Sequence, residues 1–171
     1  MEKNRIASEN TFVSHDGQAI FYRNWKETTP TAAKRAIVLL HRGHEHSGRV
    51  EHIVNELNMP DTPFFAWDVR GCGRTEGTRG YASSFMTWVQ DLDQFIQHIH
   101  HTQGIPVENI VVIAQSVGAV IAATWVHDYA PKIKALILAS PAFSVKLYIP
   151  FAVEGIEKKK KMAGKFFVKS Y

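Results

Sequence analysis

The chain has 171 residues, of which 45% are hydrophobic and 21% charged, and its formal net charge is +4 at pH 7. This composition is typical of one soluble globular domain with a sizeable core, and the modest charge does not predict a nucleic-acid partner. A single cysteine, Cys72, excludes an internal disulfide and any multi-cysteine metal site, and no apolar run approaches the ~20 residues of a membrane span.

The N-terminus, MEKNRIASEN, is polar and shows no signal peptide. The lone cysteine is compatible with a reducing compartment. We therefore expect a cytoplasmic protein.

Six segments have the apolar, β-branched content of strands. They are residues 11–14, 19–25, 36–40, 63–69, 110–114 and 134–139. Asp16-Gly17 predicts a hairpin between the first two, and the unbroken apolar run of the third is expected of a strand covered on both faces.

Helical patterns separate the later strands. Apolar side chains repeat at helical spacing over residues 50–57, and a long amphipathic helix follows Ser83 or Ser84 and ends at Gly104. An Ala-rich segment, 118–125, predicts a buried helix. The alternation predicts an α/β fold, a mostly parallel sheet with helices on both faces.

Three loops follow strands in this arrangement: residues 41–49, 70–80 and 115–118. Ligands of such sheets bind beyond the carboxyl ends of the strands. We therefore expect the three loops to meet at one edge of the sheet.

Residues 114–118, AQSVG, join a buried strand directly to a helix. They match the nucleophile elbow G-x-S-x-G, with Ala114 in the first glycine position. Such a turn lifts the Ser116 hydroxyl above the sheet and directs the Val117 N–H toward a developing negative charge. The competing interpretation is an ordinary strand–helix junction with an incidental serine at the helix cap.

Three motifs together resemble the α/β-hydrolases, and most closely the monoacylglycerol lipase / lysophospholipase group, the S33-like serine aminopeptidases. They are HRGHEHSGR (41–49), DVRGCGRTEG (68–77) and AQSVG (114–118). The resemblance covers residues 11–143. It implies hydrolysis of a small, lipid-like acyl ester through an acyl-enzyme on Ser116, with no cofactor and with Gly43 and Val117 as oxyanion donors. Arg42 stands where the family usually has glycine.

The acid and the base of the catalytic triad are not found in this sequence. In this fold they follow the serine, but the only later histidine is His127, roughly 16 Å along the helix at ~1.5 Å per residue. We therefore expect an N-terminal part of a hydrolase whose C-terminal strands are missing, inactive in isolation. Asp68 is a surrogate acid to be tested. The resemblance extends to hydrolases that are fused to a methyltransferase, so fusion to a further C-terminal domain is an alternative to be tested.

Histidines cluster in two places, and Cys72 lies in a glycine-rich loop. The histidines are His41, His44, His46 and His52, then His98, His100 and His101. The first set belongs to the expected oxyanion loop and the second ends a helix, so we predict no metal site. We expect Cys72 to be a buried small residue, because no base is placed beside it.

The predicted domain boundary falls at residue 143, with a hydrolase core over 1–143 and the start of a cap over 144–171. The basic, aromatic tail suggests peripheral membrane contact through this cap, against the alternative of a solvated helix with one packed face. The competing function for the whole chain is a non-catalytic α/β-hydrolase-like domain that binds a small hydrophobic ligand or a protein partner.

Overall fold

The structure, a computed structural model, describes residues 5–29 and 33–143. Almost all of them belong to one compact unit, Met1–Pro141. The predicted cap, 144–171, lies outside the described residues. None of the described helices is long and apolar enough to cross a membrane.

Six strands form one sheet within the described residues, close to the predicted positions. They are β1 (Ser8–Val13), β2 (Ala19–Trp25), β3 (Ala36–Leu40), β4 (Phe64–Trp67), β5 (Ile110–Gln115) and β6 (Ala135–Ala139). Their order is β1-β2-β4-β3-β5-β6. The pairings among β3, β4, β5 and β6 are parallel, whereas β2 pairs antiparallel with both β1 and β4. The predicted mostly parallel sheet is confirmed.

The described part contains three α-helices, α1 (Glu51–Leu57), α2 (Phe85–Gln103) and α3 (Val117–Tyr129), and two short 3₁₀ turns, Ser47–Val50 and Val107–Asn109. Ser84 caps α2, because its side chain accepts a hydrogen bond from the Thr87 N–H at 3.2 Å. Gly104 ends this helix at φ 65°, in the left-handed region that glycine favours.

Alternate side chains of the central strands face opposite sides of the sheet. Ile37 and Leu39 of β3 share one core with Val54 of α1. Val38 and Leu40 share another with α2 and α3. All five residues of β3 are buried, so the prediction that helices cover both faces is confirmed.

Strand β6 is the last strand of the sheet in the described part. Leu136 and Leu138 pack toward the core that α2 and α3 share. Ile137, on the opposite face, is 50% exposed. The edge strand therefore presents apolar surface and unpaired backbone groups, which favour association with another chain segment.

An ion-pair network that the sequence analysis did not predict joins the β1–β2 turn, the loop after β4 and helix α2. The Arg70 guanidinium donates two hydrogen bonds to Asp91, at 2.6 and 2.7 Å, and two to Asp16, both at 2.7 Å. Asp91 is fully buried and also accepts a hydrogen bond from the Ser14 hydroxyl. The hydrogen bonds from Arg70 hold the pKa of Asp16 well below its usual range.

Candidate active site

Ser116 occupies a strained backbone conformation between β5 and α3. Its φ and ψ are 54° and −116°, although the strand ends at Gln115 and the helix begins at Val117. Such a conformation costs a non-glycine residue about 1–3 kcal/mol and persists only where the surroundings enforce it. The Ser116 N–H donates to the Ala139 carbonyl of β6 at 3.0 Å, and its side chain makes no capping hydrogen bond. The hydroxyl is thus left available on a sharp strand–helix turn.

Small residues make this turn possible. A Cβ added to Gly118 would lie 2.6 Å from the His41 carbonyl oxygen and 3.1 Å from the Leu40 Cβ. The helix therefore approaches the end of β3 more closely than any side chain allows. Ala114 is fully buried. Its methyl group is accommodated in the core, so the departure from glycine at this position leaves the turn intact.

We expect Gly118→Ala to destabilise the fold. In a helix this substitution ordinarily stabilises by roughly 0.5–1 kcal/mol, but here the new methyl group meets a backbone carbonyl that can move only with β3. Urea denaturation would measure the change. The control is Ala123→Gly, the reverse substitution at a half-buried position of the same helix. It measures how much an exchange between alanine and glycine ordinarily changes the free energy of unfolding in this helix. A gain of stability in Gly118→Ala would contradict the close approach.

The 41–49 loop lies against the start of α3. A Cβ added to Gly43 would lie 3.3 Å from Cγ2 of Val117, so the two predicted oxyanion donors are neighbours. Val117 is the first residue of α3, and its N–H is one of the four that have no intrahelical partner. The Gly43 N–H donates to no described residue. Gly43 and Val117 thus bring two backbone N–H groups without a partner among the described residues close to the turn that holds Ser116.

His41 anchors this loop to the loop after β4. Its Nε2 accepts a hydrogen bond from the Val69 N–H at 3.2 Å, which leaves Nδ1 to donate to the Arg42 carbonyl at 2.7 Å. The ring is 2% exposed, and burial lowers its pKa. A neutral imidazole with both nitrogens engaged cannot act as a base for Ser116. Sequence analysis placed His41 on the correct loop but did not identify this bridge.

Asp68 joins the 41–49 loop to the loop after β4. Its carboxylate accepts hydrogen bonds from the Ser47 N–H at 2.5 Å and from the Arg74 N–H at 2.8 Å. A Cβ at Gly73 would lie 2.0 Å from the same carboxylate. Asp68 therefore fixes the two loops against each other. This structural role explains its position at the end of β4, and no role as a surrogate acid is needed to explain it. The expectation that the loops meet at one edge is confirmed.

Three other histidines hold separate protein contacts. His127 lies in the last turn of α3, where Nδ1 contacts Asp128 at 2.6 Å, far from Ser116 at the other end. His98 contacts the Tyr22 hydroxyl at 3.0 Å, and His100 contacts the Ile105 carbonyl at 2.8 Å. Among the described residues no three histidine, cysteine or acidic side chains converge on a possible metal position.

Cys72 is buried beside the 41–49 loop. It borders a small cavity together with His44 and Arg79, and it is 8% exposed. Burial raises the pKa of its thiol, which keeps the group protonated. The prediction of a buried small residue is confirmed.

Comparison with known proteins identifies the family of this chain. A family model described as serine aminopeptidase, S33, matches residues 31–171. The Escherichia coli (strain K12) protein YnbC is 52% identical over the whole chain, which covers 29% of YnbC. Human monoglyceride lipase is 34% identical over 134 residues, which are 75% of this chain and 41% of the lipase. The chain thus spans less than half the length of these relatives.

Solved structures show the same fold at low identity. A carboxyl esterase from Bacillus coagulans has a TM-score of 0.67 at 20% identity, covering 93% of this chain and 51% of the esterase. The structure of DcsB with its substrate analogue has a TM-score of 0.72 at 16% identity, covering 94% of this chain and 55% of DcsB. The chain belongs to the serine aminopeptidase S33 family of α/β-hydrolases, which includes lipases.

Proposed function

We propose that the chain supplies the nucleophile and the oxyanion hole of a carboxylester hydrolase that acts on a small, lipid-like acyl ester. The observation that carries the proposal is the strained conformation of Ser116 between β5 and α3, beside Gly43 and Val117. A positive φ at a non-glycine residue persists when the surrounding structure enforces it, and such strain clusters at active sites. The monoglyceride lipases among the relatives support the lipid-like substrate.

The proposed reaction proceeds in two steps. Oγ of Ser116 attacks the ester carbonyl carbon while its proton passes to a base, and the carbonyl oxygen becomes an oxyanion held by the N–H groups of Gly43 and Val117. The C–O bond to the alcohol breaks, the alcohol takes the proton, and an acyl-enzyme remains. Water then attacks this ester with the aid of the same base, which releases the fatty acid and restores the serine.

The base and the acid are proposed to follow the described residues in the chain. No hydrogen bond links the Ser116 hydroxyl to another group within residues 5–29 and 33–143. The described residues thus place no base on this hydroxyl, and we predict that the 171 residues alone are inactive. We expect them to hydrolyse a nitrophenyl short-chain ester no faster than their Ser116→Ala variant, and a Ser116-dependent esterase from this chain alone would contradict the proposal.

A direct test is fatty-acid release by the full-length gene product from monoacylglycerols and lysophospholipids. Release that depends on Ser116 supports the hydrolase. Binding of these lipids without release, together with no labelling by a fluorophosphonate, would instead indicate the non-catalytic hydrophobic-ligand domain. Peripheral membrane contact through residues 144–171, fusion to a further domain and a cytoplasmic location stay predictions.

The oxyanion loop has a test of its own. Gly43→Pro removes a backbone N–H donor, and such a donor is worth about 3 kcal/mol in the transition state. We expect kcat of the full-length product to fall about a hundredfold, while circular dichroism shows an intact fold. Gly43→Ala is the matched control, because it keeps the N–H and adds a methyl group that Val117 can accommodate with a small shift. An equal fall of kcat in both variants would show that the added side-chain atoms, and not the missing N–H donor, cause the loss.

A further inference from the structure

The 41–49 loop carries two arginines that share one carboxylate. Arg42 Nη2 lies 2.8 Å from Glu45 Oε1, and Arg49 Nε lies 3.6 Å from the same oxygen. The guanidinium of Arg42 holds the pKa of Glu45 below its usual range, so the group stays a carboxylate at neutral pH. Two positive charges against one negative charge leave this cluster with a net charge of +1.

Both guanidiniums keep donors for another acceptor. Each has five N–H groups in a planar fork, and Glu45 engages Nη2 of one and Nε of the other. The Arg42 and Arg49 side chains are 52% and 64% exposed, whereas Glu45 is 18% exposed. The carboxylate thus lies beneath two accessible cations and orients them.

The backbone places this cluster next to the candidate oxyanion hole. The Glu45 N–H donates to the Arg42 carbonyl at 3.4 Å, which closes a turn around Gly43. The His41 ring fixes the same carbonyl at 2.7 Å. Since Gly43 lies against Val117, Arg42 is one residue from a donor that would hold the reacting carbonyl oxygen.

One further guanidinium lies near the same loop. His44, the residue after Gly43, lines a small cavity together with Arg79 from the loop after β4. Within the described residues Arg79 forms no ion pair or hydrogen bond. Guanidinium groups match phosphate in geometry and charge, because their parallel N–H donors meet two phosphate oxygens at once.

We propose that Arg42, supported by Arg49, makes the site selective for acyl esters that carry a phosphate in the headgroup over neutral acylglycerols. The inference rests on the proposed hydrolase function and names its substrate class. The Arg42 guanidinium brings a positive charge and side-chain N–H donors to the position next to Gly43, and a phosphate can accept from these donors more strongly than an uncharged headgroup.

Binding of non-hydrolysable ether lipids tests the selectivity without requiring hydrolysis. The ligands are 1-O-alkylglycerol 3-phosphate, the matching 1-O-alkylglycerol and inorganic phosphate, titrated below micelle formation into the full-length gene product. The variants are Arg42→Gln and the control Arg35→Gln. Arg35 is 54% exposed and pairs with Asp61 at 2.7 Å, so it matches Arg42 in exposure and pairing, but it precedes β3 and Arg42 follows it.

We expect the wild-type protein to bind the phosphate lipid about tenfold or more tightly than the neutral lipid, since charge-assisted hydrogen bonds distinguish them. Arg42→Gln should bring this ratio close to one, and Arg35→Gln should leave it unchanged. The ratio should also fall as salt screens the partly exposed charges. A wild-type ratio near one, or an unchanged ratio in Arg42→Gln, overturns the proposal, as does inorganic phosphate binding as tightly as the lipid.

Hydrolysis of the corresponding acyl lipids separates this inference from the proposed function. Ser116-dependent release with equal kcat/KM for phosphate-bearing and neutral esters refutes the selectivity and leaves the hydrolase standing. Selective, Arg42-dependent binding without any release refutes the hydrolase and supports the phosphate site alone.

Discussion

Ser116→Ala in the full-length gene product is expected to abolish ester hydrolysis, with kcat lower by about a thousandfold or more, and to abolish covalent labelling by a fluorophosphonate. Alanine lacks the oxygen that forms the acyl-enzyme, and backbone donors alone leave only a small residual rate. The substitution removes a hydroxyl that makes no cap to α3, so the free energy of unfolding should change little. Fatty-acid release, mass spectrometry of labelled peptides and urea denaturation measure the three quantities.

Ser140→Ala is the matched control for this experiment. Ser140 also follows a parallel strand directly and has a positive φ of 47°. It therefore resembles Ser116 in local backbone and in position along the sheet, but it does not lead into a described helix. Labelling that persists in Ser116→Ala, or that disappears in Ser140→Ala instead, would show that the nucleophile does not lie in the β5–α3 turn.

Arg70→Met is expected to lower the free energy of unfolding by about 3–5 kcal/mol, because it leaves the carboxylate of Asp91 buried without its cation. Asp91 is fully buried and Arg70 is only 12% exposed in its side chain, so solvent cannot replace the lost partner. For a chain of this size the melting temperature should fall by roughly 10 °C. Arg35→Met is the control, since the exposed Arg35–Asp61 pair should contribute less than about 1 kcal/mol. Equal losses in both variants would show that the network adds nothing beyond a surface pair.

The same network predicts a dependence on pH. Arg70 lowers the folded-state pKa of Asp16 below the unfolded value of about 3.9. The stabilisation from Asp16 is therefore fully present above that value and is lost as pH falls through the folded-state pKa. Urea midpoints of the wild type and of Arg70→Met should converge as the pH is lowered below 4. A constant difference from pH 7 to pH 2 would contradict an ionised Asp16 in the pair.

The sequence predicted the elements that depend on local chemistry. The unbroken apolar run of β3 indicated a strand buried on both faces, and the Ser84 cap and Gly104 marked the two ends of α2. The meeting of the 41–49 loop with the 115–118 loop followed from topology, because the carboxyl ends of parallel strands meet at one edge. These predictions used periodicity and chain order, which a single sequence contains.

Contacts between distant residues were not predictable in the same way. Arg70 lies 54 residues from Asp16 and 21 from Asp91, and nothing in the spacing of these charges indicates that they meet. The bridges formed by His41 and Asp68 depend on the path of two loops after neighbouring strands. The pairing of Arg42 with Glu45 could have been found, since charges three residues apart in a turn lie close together.

The hydrogen bond from the Ser116 N–H to the Ala139 carbonyl links the proposed nucleophile to β6, an edge strand of the described sheet. Fraying of β6 would release this bond and allow Ser116 to relax from φ 54° toward an unstrained conformation, a gain of about 1–3 kcal/mol. Any segment or partner that pairs with β6 and covers Ile137 would oppose that relaxation. Pairing at β6 and the backbone geometry of Ser116 are thus thermodynamically coupled, so we expect the reactivity of the proposed nucleophile to report on how firmly β6 is held.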